Sequence, residues 1–378
     1  AAFLLSRPKF TAIATFYEFV RIWIMIKVLI AEDSIVLQEF LKNALESDPE
    51  IQVIEMVNNG EKAIAAVKKS RPDVVTMDIN MPVLNGFEAT RIIMETTPTP
   101  IVIVSGEWDT KNVETTFRAM EAGALACVAR PAGIAHPDHA ASAEELIRTV
   151  KSMSEVKVIK RWARLPEKDL NPHKKEARPP EVAITPGREI KIVAIGASVG
   201  GPIALQAILS AIPADITVPI AIVQHISAGF TPGLVEWLSM TSAIPVRLGR
   251  QGEKMLPGHA YIAPDNLQMK VTREGTIALT EDEPQEGIRP SVSSLFRSIA
   301  DVYGKNAIGV LLTGMGRDGA EELKLMKDKG AVTIVQDKET SVVFGMPGEA
   351  VKIGGAAYVL PLGEIARTLD GLLNKGLK

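Results

Sequence analysis

Two sets of residues in this 378-residue chain have the types and spacing to do chemistry, and they lie in different halves. In the second half, Ser198 sits among small residues in IGASVGGP, after the apolar run Ile192–Ile195 and before an Ala/Leu/Ile-rich stretch that opens on Pro202. The run predicts a buried strand, and proline at a first helical position has a φ suited to starting a helix. A small-residue turn between strand and helix exposes the serine hydroxyl and aims free helix-start N–H groups at whatever it touches. Such a turn suits a nucleophile and an oxyanion. It equally suits a phosphate, because G-x-S-x-G is a short motif.

A serine nucleophile needs a base, usually histidine. The chain has five histidines. His136 and His139 flank the last helix expected in the first half, and His173 lies in a charged stretch. His259, in GHAYIAP, is expected to open a hairpin strand. His225 directly follows the apolar run Val218–Val223 and is the preferred base. The third member should orient the imidazole and stabilise its cation. Asp318, in GMGRDG just past the apolar run Ala307–Thr313, fits that role. Ser198, His225 and Asp318 each follow a buried strand, and in a parallel α/β sheet such ends share one edge. Their order differs from the Ser…Asp…His order of α/β-hydrolases, so the serine motif does not indicate a lipase-like enzyme.

The first-half set is acidic. Glu32 and Asp33 end the first expected strand, Asp78 ends the third, and Ser105 ends the fourth. Three carboxylates on one sheet edge repel one another unless a divalent cation is present, and hard oxygen ligands suit Mg2+. Helix capping explains Asp33 beside Ser34 but not all three positions.

The elements that must position these groups are legible in the pattern. Between Met25 and Lys151, strand and helix alternate five times, with strands at 27–31, 51–57, 73–77, 101–104 and 124–129. Alternation of this kind gives right-handed crossovers and a parallel sheet with helices on both faces. The expected fold class is therefore α/β in two domains. The first is a five-stranded parallel-sheet domain (flavodoxin-like) over 25–150. The second is a doubly wound, mostly parallel domain with a small β-hairpin over 189–378. Residues 151–188, rich in Lys, Arg, Glu and Pro, read as a linker. Residues 1–24 read as a non-native or dispensable extension before Met25, with an amphipathic membrane-surface helix as the alternative.

Composition excludes several classes. A net charge of −3 gives no reason to expect a nucleic-acid partner. No apolar span is long enough for membrane insertion, and the secretory-signal layout is missing. The single cysteine, Cys127, rules out an intrachain disulfide framework and suits a reducing, cytoplasmic location. Its apolar run makes it a core residue rather than a reactive thiol.

LIAEDS, VVTMDINMPVLNG, IVIVSG and VARPAG resemble the motifs of bacterial response-regulator receiver domains. The resemblance implies that Asp78 accepts a phosphoryl group from a histidine kinase. It also implies that Glu32, Asp33, Asp78 and the Asn80 carbonyl bind Mg2+, with Ser105 as switch hydroxyl. Arg130 stands where the family usually has lysine. A planar fork replaces a compact point charge there and alters the geometry of the switch.

IVAIGASVGGP, VQHISAGFTPGLVEWL, YIAPDN, RPSVSSLFRS, LLTGMGRDGAEELK and SVVFGMPGEA are similar to the catalytic domain of chemotaxis protein-glutamate methylesterases, the CheB family. That resemblance implies a serine hydrolase acting on glutamyl γ-methyl esters of chemoreceptors, and deamidating receptor glutamines as well. No cofactor is implied for the ester chemistry. The oxyanion is expected at backbone N–H groups of the Ser198–Gly200 turn, Val199 among them, and by resemblance of Met315. Domain order implies that the receiver covers the triad edge until Asp78 is phosphorylated. Four departures stand out: Val199 for the usual threonine, Ser293 for aspartate, Gln268 for a frequent histidine, and Gly348 for a basic residue. None is expected to touch the triad.

Overall fold

The structure, a computed structural model, describes residues 25–106, 117, 119–156, 158, 189–284 and 287–374. These form two compact units, one within 1–106 and 128–161, the other within 107–127 and 162–378. The extension expected over 1–24 and most of the expected linker, His173 included, lie outside the described residues.

The first sheet contains β1 (Ile26–Ala31), β2 (Ile51–Val57), β3 (Val74–Met77), β4 (Ile101–Ser105) and β5 (Ala126–Ala129), in the order β2-β1-β3-β4-β5. The β1–β2, β1–β3 and β3–β4 pairs are parallel. Helices α1 (Ile35–Leu45), α2 (Gly60–Ser70), α3 (Gly86–Thr96) and α4 (His139–Ser154) accompany it. Val28, Leu29, Ile30, Val74, Val75, Ile101, Val102 and Ile103 are fully buried, which is why these strands read as unbroken apolar runs. Ser34, Asn59 and Asn85 start α1, α2 and α3 by accepting the N–H groups of Leu37, Lys62 and Glu88. Cys127 is buried, and burial pushes its thiol pKa far up, so it is an inert core residue. The last helix of this unit ends at Ser154. Leu146, Val150 and Met153 continue its buried stripe to Ser154, and Lys151 pairs with Asp48 at 3.0 Å and Glu50 at 2.6 Å.

The second sheet has seven strands in the order β14-β13-β12-β6-β7-β9-β8. They are β6 (Ile192–Ala197), β7 (Ile220–Gln224), β8 (Val246–Leu248), β9 (Ala260–Ile262), β12 (Ala307–Leu311), β13 (Val332–Gln336) and β14 (Tyr358–Leu360). Every pair in this sheet is parallel. The hairpin is β10 (Gln268–Val271) with β11 (Ile277–Thr280). His259 therefore does not open a hairpin strand: it precedes β9, a strand of the main sheet. β9 pairs Ala260 with Ile220. This places His259 at the amino edge, opposite the strand ends that carry Ser198 and His225.

Helices α5 (Gly201–Ala211), α6 (Thr231–Thr241) and α10 (Leu362–Asn374) share one core with Val193, Ile195 and Ala197 of β6. Helices α7 (Val292–Tyr303), α8 (Ala320–Asp328) and α9 (Met346–Lys352) share the other with Ile192 and Ala194. Alternate residues of one strand thus face opposite layers, as the two-residue strand period requires. Burying a Leu, Ile or Phe such as Leu205, Ile299 or Phe296 contributes about 1.5–3 kcal/mol each, and this apolar burial holds the layers together. From β6 the chain moves outward to β7, and from β12 outward the other way to β13. The crevice between β6 and β12 is therefore a topological switch point, where open α/β sheets bind ligands.

Candidate functional site

Register brings the second-half residues together. Ala197 pairs with Gln224 across β6 and β7, so Ser198 and His225 are the first residues beyond neighbouring strand ends. His225 N–H donates to Ala197 O at 2.9 Å, and Ser198 N–H to Thr313 O at 3.0 Å. The loop after β12 then carries Asp318 to the same edge. His225 Nε2 and Asp318 Oδ2 are 2.8 Å apart, with side chains only 12% and 3% exposed.

Asp318 also accepts from the start of α7, including the Ser293 hydroxyl. Val292 N–H reaches Oδ2 at 2.6 Å and Ser293 N–H reaches Oδ1 at 3.0 Å. These are the first two residues of α7, so the carboxylate occupies a helix N-terminus, where free N–H groups and the helix dipole favour an anion. Burial alone pushes the Asp318 pKa up. The hydrogen bond and charge of His225, with the Ser293 donors, outweigh it and hold the group below the usual carboxylate range. Because Nε2 faces Asp318, Nδ1 is the imidazole nitrogen that the carboxylate does not engage. The familiar triad has these two nitrogens the other way round.

Glycines set the close approaches. Gly200 has φ +76°, and a Cβ there would lie 2.5 Å from Val342 Cγ2. A Cβ on Gly314 would lie 2.8 Å from Ser198 Cβ, so the glycine lets the loop carrying Met315 run beside Ser198. Pro202 is the second residue of α5, after Gly201, rather than the first. Thr313 ties the edge together: its hydroxyl donates to Val199 O at 2.8 Å and accepts Val343 N–H at 3.0 Å. Among the described residues, the Val199 and Met315 N–H groups donate to no protein acceptor.

One of the four departures, Ser293, contacts Asp318 directly, and Gln268 contacts the residue that caps the same helix. Ser293 supplies the N–H on Asp318, and its hydroxyl accepts Gly319 N–H at 3.0 Å. Gln268 Oε1 accepts Ser291 N–H at 2.8 Å, and Ser291 caps the helix whose first turn holds Asp318. Ser291 accepts Ser294 N–H at the start of this helix, and a helix start has N–H groups to offer a carboxylate. Val292, Thr313 and Gln224 were missed altogether, since their partners lie 26 to 114 residues away.

In the first unit, Ala31 pairs with Met77, which puts Glu32 and Asp78 side by side at the strand ends. One oxygen from each of Glu32, Asp33 and Asp78 lies within 4.8 Å of the others. Burial, and then the Asp78 charge, pushes the Glu32 pKa up to about 7, and burial raises that of Asp78. The Arg130 charge, and after it the Ile79 and Asn80 N–H groups, partly offset the rise at Asp78. Arg130 N–H donates to Ser105 O at 2.7 Å, which fixes these two residues side by side. The Arg130 guanidinium stands 3.3 Å from Glu32 and 4.0 Å from Asp78. A hard divalent cation fits this donor set, three converging carboxyl groups of which one is held partly neutral by its neighbours and burial.

Together these features define a class: a receiver-type unit with an acidic strand-end cluster, joined in one chain to a doubly wound unit with a serine, histidine and aspartate at its switch point. Residues 28–141 match the response regulator receiver domain family, and residues 193–369 match the CheB methylesterase family. The chain belongs to the CheB methylesterase family. A "protein-glutamate methylesterase/protein-glutamine glutaminase" of Nitrosospira multiformis is 57% identical over 350 residues, 92% of this chain and 97% of that protein. One of the same description from Syntrophus aciditrophicus is 54% identical over 346 residues, 91% and 97% of the respective chains. The crystal structure of the Thermotoga maritima CheB methylesterase catalytic domain superposes with a TM-score of 0.47 at 38% identity, covering 49% of this chain and 99% of that one. No helix among the described residues is long and apolar enough to cross a membrane.

Proposed function

We propose that this protein is a phosphorylation-regulated protein-glutamate methylesterase. It hydrolyses glutamyl γ-methyl esters on methyl-accepting chemotaxis receptors and deamidates receptor glutamines, giving sensory adaptation. The observation that carries the reading is the His225–Asp318 pair at 2.8 Å, beside Ser198 at the next strand end.

In the proposed reaction, Ser198 Oγ attacks the ester carbonyl carbon while His225 Nδ1 takes the hydroxyl proton. Asp318 holds the imidazolium by its Nε2–H. The oxyanion lies against the Val199 and Met315 N–H groups, and losing one such donor typically costs about 2.7–4 kcal/mol of barrier. The C–O bond to the methoxy group then breaks, and His225 returns the proton so that methanol leaves. Water attacks the acyl-enzyme by the same proton path, releasing glutamate and restoring Ser198. With a glutamine, ammonia leaves instead of methanol. No cofactor takes part in these steps.

Control resides in the receiver. Asp78 accepts a phosphoryl group from a chemotaxis histidine kinase, and Ser105 and Arg130 read the added charge. Glu32, Asp33, Asp78 and the Asn80 carbonyl would hold Mg2+, which when bound neutralises charge on the transferring phosphoryl group. The functional domains are taken as 25–150 and 189–378, and the reaction as cytoplasmic. Methanol release from methylated receptor, by wild type and Ser198→Ala, with and without a small phosphodonor, tests the reading. Wild-type release that rises with phosphodonor and vanishes in Ser198→Ala supports it; equal release by the two proteins overturns it.

A further inference from the structure

Gln224 is the last residue of β7, 4% exposed, and neither the triad nor the oxyanion site includes it. Its side-chain NH2 makes two hydrogen bonds, to Ser198 O at 2.8 Å and to His225 O at 2.7 Å. One planar amide thus spans the backbones of the nucleophile and the base. Ser198 O also accepts Gly201 N–H at 2.8 Å, whereas among the described residues His225 O receives only the Gln224 bond.

The chemistry selects glutamine. The site needs two N–H donors from one neutral group, in a place too buried for an unpaired cation. Glutamate would present oxygens to two carbonyls, and leucine or methionine would leave both without this donor. The neighbouring turn is shaped around the amide as well. A Cβ on Gly201 would lie 2.0 Å from Gln224 Oε1, so the second glycine of the GG pair clears space for it. Gln224 Oε1 is itself buried without a hydrogen-bond partner, so the donor end of the amide supplies what this geometry uses.

We propose that Gln224 is a positioning residue for the reaction. Its amide couples the Ser198 turn to the His225 loop, so that the hydroxyl and Nδ1 keep proton-transfer distance while each sits on a separate strand end. The proposal rests on the functional reading above for its substrate, but not for its geometry. Misplacing a reacting group by about 1 Å costs on the order of 100-fold in rate, so loss of the clamp should lower kcat by about 10- to 100-fold. Substrate contacts are untouched, so KM should hold.

The test compares full-length wild type, Gln224→Leu, Gln224→Asn and Ser198→Ala. Two rates are measured per folded molecule at 25 °C: methanol release from methylated receptor, and acylation of Ser198 by a fluorophosphonate, which reports nucleophile activation without the receptor. Circular dichroism and melting establish which variants are folded. Gln224→Asn keeps the amide and polarity but is one methylene short, so it remains informative if the leucine variant fails to fold. The expected result is a parallel 10- to 100-fold fall in kcat and acylation rate with KM within twofold. A folded variant with both rates within threefold of wild type overturns the proposal and leaves Gln224 a purely structural residue. If wild type acylates but releases no methanol, the functional reading fails, and the acylation rates alone still decide the inference.

Discussion

Replacing Asp318 by asparagine tests the orientation of the imidazole. The side chain keeps its shape, and with its NH2 in the place of Oδ2 its carbonyl oxygen still accepts Ser293 N–H, now 3.0 Å from Oδ1, while Val292 N–H, 2.6 Å from Oδ2, loses its acceptor. The decisive change is at the 2.8 Å contact to His225 Nε2. An amide NH2 facing that nitrogen must meet a lone pair, so the imidazole proton moves to Nδ1. Nδ1 is the atom that has to accept the Ser198 proton. The histidine is then held in the wrong tautomer, for which a loss of about 10,000-fold in kcat is expected, or about 5.4 kcal/mol of barrier at 1.36 kcal/mol per tenfold. Stability should fall far less. Hydrogen bonds to a charged group contribute about 1.5–3 kcal/mol and neutral ones about 1, so the two N–H contacts lose roughly 1–4 kcal/mol together. The assay is methanol release with a melting curve on the same preparation. Asp318→Asn within tenfold of wild-type kcat, while folded, would refute the placement of Nδ1 as the base.

Other consequences rest on single contacts. Ser293→Ala removes the acceptor for Gly319 N–H and the Ser293 hydroxyl's bond to Asp318 but keeps the Ser293 N–H on Asp318. The second unit should lose about 1–3 kcal/mol in chemical denaturation, with a kcat loss well short of that of Asp318→Asn. Gly200→Ala forces a Cβ onto a residue at φ +76° and to 2.5 Å from Val342, so both melting temperature and Ser198 acylation should drop, at a cost of about 1–3 kcal/mol. Glu32 has a folded-state pKa of about 7, above its ordinary 4.5, so the native state binds the extra proton between those values. Without Mg2+ the first unit should therefore lose stability as pH rises from about 4.5 through 7. Glu32→Gln should flatten that slope, and Mg2+ should stabilise wild type more at pH 8 than at pH 5, both read by calorimetry. A slope of opposite sign would contradict the raised Glu32.

Much of this arrangement was legible because buried parallel strands read as unbroken apolar runs, and the residues just past such runs lie at one sheet edge. Glu32, Asp78, Ser198 and His225 all obey that rule. His259 broke it because β9 is only three residues long, too short to show whether it pairs within the sheet or in a hairpin. The supports of the site were hidden for a different reason. Gln224 reaches back 26 residues to Ser198, and Val292 reaches Asp318 across 26, distances over which residue type and local period say nothing about proximity. Ser293 and Gln268 were visible as departures from a familiar pattern. Their effect became clear only when the first turn of α7 proved to be the seat of the Asp318 carboxylate.

In the proposed mechanism Ser198, activated by His225 and Asp318, cleaves a carboxylic ester under control of Asp78. The most direct measurement is methanol release from methylated receptor by full-length wild type, Ser198→Ala and Asp78→Asn, each with and without phosphodonor. On this mechanism wild type should release methanol faster with phosphodonor, Asp78→Asn should release it at a rate the phosphodonor does not change, and Ser198→Ala should release none in either condition. Methanol release by Ser198→Ala at the wild-type rate would contradict it.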